Sequence, residues 1–61
     1  MPRIEIYTTR TCSYCVRAKS LLRAKGLAYE EIDLTRDPSR IPEMIERASG
    51  LATVPQIFIN G

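Results

Sequence analysis

The segment from Ser13 to Lys25 constrains this chain more than any other. Val16, Ala18, Leu21 and Leu22 recur at helical spacing, while Arg17, Lys19, Arg23 and Lys25 supply a wet side. Gly26 stops the helix as a C′ residue able to take a positive φ. Two strands are expected to flank it: Ile4-Glu5-Ile6-Tyr7-Thr8 before, alternating and rich in β-branched and aromatic residues, and Ala28 to Leu34 after. In the second run Ile32 and Leu34 share one face, and Tyr29, Glu31 and Asp33 the other. Strand, helix and strand in that order make a βαβ unit, whose strands run parallel through a right-handed crossover.

Thr35 to Ser39, with Asp37-Pro38, is turn chemistry. A second helix is expected from about Arg40 to Ser49, with Ile41, Met44, Ile45 and Ala48 on one face and Gly50 closing it. Ser39 as N-cap would keep Pro42 in the first turn, where its ring is harmless. Val54 to Asn60 reads as a third strand, and Asn60-Gly61 is a strong hairpin signal. The order β-α-β-α-β places this chain in the α/β class. At 61 residues it forms one domain near the lower edge of independent folding.

A formal charge of +2, with Lys and Arg dispersed along the chain, argues against a nucleic-acid binder. No stretch approaches the length of a membrane span, and Met1-Pro2-Arg3 does not lead into a signal peptide's apolar core. The expected location is therefore the cytoplasm. Two cysteines in that reducing compartment do not read as a permanent staple.

Their spacing, Cys12-Ser13-Tyr14-Cys15, falls where the first strand hands over to the first helix, at the carboxyl edge of the sheet. Open α/β sheets carry their ligand and reaction sites there. The first turn of a helix presents unpaired N–H groups and the positive end of the dipole, which stabilise a thiolate. Cys12 is thus the nucleophile, with Arg10 adding positive charge two residues away. Cys15, one turn on along the same face, is the resolving partner. A zinc site needs four ligands, and with no histidine or third cysteine one chain cannot supply them. A metal or cluster bridging two chains, or two inert buried cysteines, are the remaining readings.

The chain resembles the glutaredoxin family over essentially its whole length. The resemblance rests on Ile6-Tyr7-Thr8, on Cys12-Ser13-Tyr14-Cys15-Val16-Arg17-Ala18-Lys19, on Leu21-Leu22 with Lys25-Gly26, and on Glu31-Ile32-Asp33-Leu34. Glu43-Met44-Ile45-Glu46-Arg47 and, above all, Thr53-Val54-Pro55-Gln56-Ile57-Phe58-Ile59-Asn60-Gly61 complete it. It implies a thioredoxin-like fold, with residues 1–61 as the N-terminal two-thirds of a glutaredoxin domain. It also implies a cis Pro55 facing Cys12, with Val54 offering its backbone groups to the cysteinyl part of glutathione. Arg10, Tyr14 and Thr53 are further expected glutathione contacts.

The implied activity is glutathione-dependent reduction of protein disulfides and protein–glutathione mixed disulfides, with those proteins and glutathione as the partners. Where the family usually has proline, this chain has Ser13. In the family that change accompanies an ability to hold a [2Fe-2S] cluster between two glutathione-bearing subunits, which is the alternative reading. Recycling by thioredoxin reductase in place of glutathione is a second. The lysine usual three residues before the nucleophile is Thr9 here, and the second helix's Arg or Gln falls near Ile41 or Pro42, beside Arg40. The family's fourth strand and third helix are missing from residues 1–61. Ile57, Phe58 and Ile59 are therefore expected to lose cover, and a homodimer or domain swap would restore it.

Overall fold

The computed structural model describes residues 2–61. Strand β1 (Ile4–Thr8) leads to helix α1 (Ser13–Ala24) and strand β2 (Glu30–Asp33); a 3-10 turn (Pro38–Arg40) runs into helix α2 (Ile41–Arg47), and strand β3 (Gln56–Ile59) follows. The sheet order is β2-β1-β3, with β1 central. β1 pairs parallel with β2, Ile6 opposite Glu31 and Tyr7 opposite Ile32. It pairs antiparallel with β3, Ile4 opposite Ile59 and Ile6 opposite Ile57. The expected βαβ unit and thioredoxin-like arrangement are present.

All five residues of β1 are buried, because a helix covers each face of the central strand. On one face Ile4, Ile6 and Thr8 lie beneath α1, which contributes Cys15 and Leu22. On the other, Tyr7 packs with Ile32, Leu34 and Met44 of α2, joined by Ile45, Val54 and Phe58. Polar groups secure this second face. The Tyr7 hydroxyl donates to a Glu43 carboxylate oxygen and accepts from Arg47 Nη1 at 3.0 Å, and Arg47 Nη2 donates to Glu5 at 3.0 Å. The Arg47 guanidinium also lies 4.2 Å from the centre of the Phe58 ring, which meets Tyr7 edge-on.

Several expectations are corrected. Ser39 does not cap α2: its hydroxyl donates to Asp37 Oδ1, and the 3-10 turn feeds the helix with no side-chain cap. Pro42 does sit in the first turn. α2 ends at Arg47, since Ser49 takes a positive φ. β2 and β3 are shorter than the apolar runs that suggested them. Val16 and Leu21 are exposed, because the inward face of α1 centres on Cys15, Ala18, Lys19 and Leu22, and both lie to its sides. Phe58 keeps its cover, because strand alternation turns it toward α2; only Ile57 and Ile59 are exposed.

Candidate functional site

The site forms where β1 ends and α1 begins. Cys12 is the N-cap of α1, in extended conformation, and its Sγ accepts the Cys15 backbone N–H at 3.1 Å. A sulfur thus fills the role that a Ser or Asp oxygen usually plays at a helix start. The loop is closed by the Cys12 N–H donating to the Thr9 carbonyl at 3.3 Å. Both cysteines are free thiols, but their surroundings differ. Cys12 is half-buried, whereas Cys15 is 1% exposed, facing the sheet. Burial, followed by the hydrogen bond with Cys12, pushes the Cys15 thiol up to about 11.

The segment before β3 forms the other wall. The Val54–Pro55 peptide is cis, and the Val54 carbonyl oxygen lies 3.8 Å from Cys12 Sγ. The Val54 side chain packs on the cluster of Tyr7 and Met44, so this wall is anchored in the core. A backbone carbonyl facing a half-buried thiol, beside a free helix start, is a place where an extended thiol-bearing peptide could lay its own backbone.

The other expected contacts divide. Tyr14 stands two residues after Cys12, 67% exposed, with the Arg17 guanidinium 5.9 Å from its ring centre. Thr53 is exposed, and its Oγ1 accepts from Gln56 Nε2 at 3.1 Å. Arg10 is exposed, and its backbone N–H donates to Thr35 Oγ1 at 2.9 Å, tying the cysteine loop to the loop after β2. Arg40 engages Glu43 through two hydrogen bonds, at 3.1 and 2.8 Å. That pairing commits its guanidinium to α2.

Sequence reasoning missed one neighbour. Lys19, read as part of the wet side of α1, turns toward the sheet, and its Nζ donates to Glu31 Oε2 at 2.9 Å. The available signal was its place one helical turn after Cys15. Among the described residues no group of three or more His, Cys, Asp or Glu side chains is placed to hold a metal. One chain thus offers a cluster a single accessible thiol, and the residues present do not fit a resident iron–sulfur group within one subunit.

The family model for glutaredoxin matches residues 4–61. Glutaredoxin 3 of Escherichia coli K12 is 50% identical over 60 residues, an alignment covering 98% of this chain and 71% of that protein. A glutaredoxin of Pseudomonas aeruginosa is 48% identical over 60 residues, covering 98% of this chain and 70% of that one. Among solved structures, glutaredoxin 1 from Francisella tularensis superposes with a TM-score of 0.79 at 32% identity, covering 98% of this chain and 77% of that one.

Proposed function

The chain belongs to the glutaredoxin family, whose membership supports a thiol–disulfide oxidoreductase function, and from that premise we propose that it reduces protein disulfides and protein–glutathione mixed disulfides at the expense of glutathione. The observation that carries this reading is the setting of Cys12: a half-buried sulfur at a helix start, accepting a backbone N–H at 3.1 Å and facing the Val54 carbonyl at 3.8 Å.

In the proposed cycle the Cys12 thiolate attacks the glutathionyl sulfur of a protein mixed disulfide. The Cys12–glutathione bond forms, the protein–sulfur bond breaks, and the protein thiolate leaves and takes up a proton. The Cys15 N–H stabilises the Cys12 anion before attack. Once that thiol has lost its proton it no longer donates to Val54, whose carbonyl is then free to accept an N–H from the incoming peptide. Tyr14 offers an exposed aromatic wall beside the sulfur. Free glutathione then attacks the mixed disulfide and restores Cys12. With protein disulfides, Cys15 attacks instead and closes a Cys12–Cys15 disulfide that glutathione reduces. Attacking and leaving thiol acidities govern both routes.

The test is turnover of a glutathionylated protein with glutathione and glutathione reductase as the only reductant supply. Cys12→Ser is expected to abolish turnover. Cys15→Ser is expected to keep it while losing reduction of a protein disulfide. Turnover with thioredoxin reductase but none with glutathione would overturn the glutathione-dependent reading. The two-subunit cluster reading rests on Ser13 alone among the described residues.

A further inference from the structure

The second half-reaction poses a difficulty that the Cys12 site does not solve. Cys15 must become a thiolate to attack, yet it is buried against the sheet at 1% exposure. The groups facing it are few. On α1 they are Cys12 and Lys19, and from the preceding loop the Thr9 backbone N–H. On the same face of β1, near its carboxyl end, stand Ile6 and Thr8, both uncharged and buried, and from β2 comes Glu31, which reaches Lys19.

Lys19 lies one helical turn after Cys15 on the same inward face, and helical side chains lean toward the N-terminus, so its stem leans toward the turn that holds the thiol. It does not swing in water. Its side chain is 22% exposed, and its Nζ is held 2.9 Å from Glu31 Oε2. The same oxygen accepts the Thr8 hydroxyl at 2.7 Å, which fixes the carboxylate against the last residue of β1. An ion pair of this kind contributes little to stability, while immobilising a lysine side chain costs entropy. When Cys12 is engaged in a disulfide it carries no charge, and the positive charge of Lys19 then acts on Cys15 without a neighbouring thiolate to oppose it.

We propose that Lys19, held by Glu31, is a positioning residue for disulfide closure, its ammonium stabilising the Cys15 thiolate as it attacks Cys12. The inference rests on the thiol–disulfide exchange reading but not on glutathione as the reductant. In the step, the Cys15 thiol gives its proton to water and the thiolate attacks the Cys12 sulfur of a mixed disulfide. The Cys12–Cys15 bond forms, the bond from Cys12 to the departing thiol breaks, and that thiolate leaves and takes a proton from solvent. One disulfide is exchanged for another, with no net oxidation.

The experiment uses one equivalent of dithiodipyridine, an uncharged aromatic disulfide whose thiopyridone product is coloured. The first release reports attack by Cys12, and the second reports closure by Cys15. Lys19→Met keeps the stem and removes the charge. It is expected to slow the second release about three- to tenfold near neutral pH, the effect of up to about one pH unit on a neighbouring thiol, and to move its pH profile upward. The first release is expected to keep its rate, and Lys19→Arg to recover most of the second. A second release unchanged in Lys19→Met, both releases slowed together, or no recovery with arginine would each overturn the proposal. A wild-type chain that gives no second release would overturn the dithiol route itself. If both releases behave as expected but glutathione fails to support turnover, only the glutathione-dependent reading falls.

Discussion

At the scale of single residues, the two cysteines have the same side chain in opposite surroundings. Cys12 is half-buried and caps a helix; Cys15 lies under it, held as a neutral thiol. A thiol whose folded value lies above its ordinary 9.0 contributes stability that is fully present below pH 9. That contribution is lost as pH rises toward about 11. Tyr7, raised first by burial and then by its bond to Glu43, has the same sign. Urea denaturation followed from about pH 8 to about pH 11 should therefore show stability falling, and Cys15→Ala should make the fall shallower. Met44, 1% exposed, sits where Tyr7, Ile32 and Leu34 meet. Met44→Ala should cost about 2–5 kcal/mol in the same measurement, the range for emptying a buried site of this size.

At the scale of elements, what was legible in the sequence followed from local rules, and what was not depended on distant partners. The first strand and first helix were expected at close to their observed places, because alternation, helical periodicity and a terminating glycine are local signals. Gly26 takes φ +69° at the end of α1, with nothing within 4 Å of where a Cβ would stand. Gly26→Ala should thus cost about 1 kcal/mol through backbone conformation alone and leave both thiol reactions unchanged. The helix-2 boundary was misjudged because Ser39 has two possible uses, as a cap or as a donor to Asp37, and the 3-10 turn selects the second. Val16 and Leu21 share the apolar spacing of α1 yet lie exposed, because apolarity alone does not say where on the helix the sheet lies. The pairing of Lys19 with Glu31 and of Arg47 with Glu5 and Tyr7 required knowing the register of β1 with its neighbours, which no local pattern contains. The Cys12-Ser13-Tyr14-Cys15 spacing and the Val54-Pro55 pair are local patterns and so are legible in the chain itself. The structure brings Cys12 and Val54 together, whereas Arg10 and Thr53 direct their known hydrogen bonds elsewhere.

For the molecule as a whole, one central strand between two helices lets a short chain hold a half-buried thiol at the edge of its sheet. The α2 face is fixed by the polar network around Tyr7 and the α1 face by Lys19, Glu31 and Thr8. The carboxylates in both are held below 4.5: Glu5 by its bond from Arg47, Glu31 by Lys19 and then Thr8, Glu43 by Arg40 and then Tyr7. A depressed folded value gives stability that is present above pH 4.5 and is lost as pH falls below that toward the folded value. Thermal unfolding should therefore show an acid limb below that pH, and Glu5→Gln, at the carboxylate held by Arg47, should weaken it. The central claim, however, concerns Cys12 as the glutathione-bearing sulfur. Its most direct test is to incubate the Cys15→Ser protein with oxidised glutathione and locate the adduct by peptide mass spectrometry. The account predicts one glutathione on Cys12, released again by free glutathione. An unmodified Cys12, or an adduct that free glutathione does not remove, would contradict it.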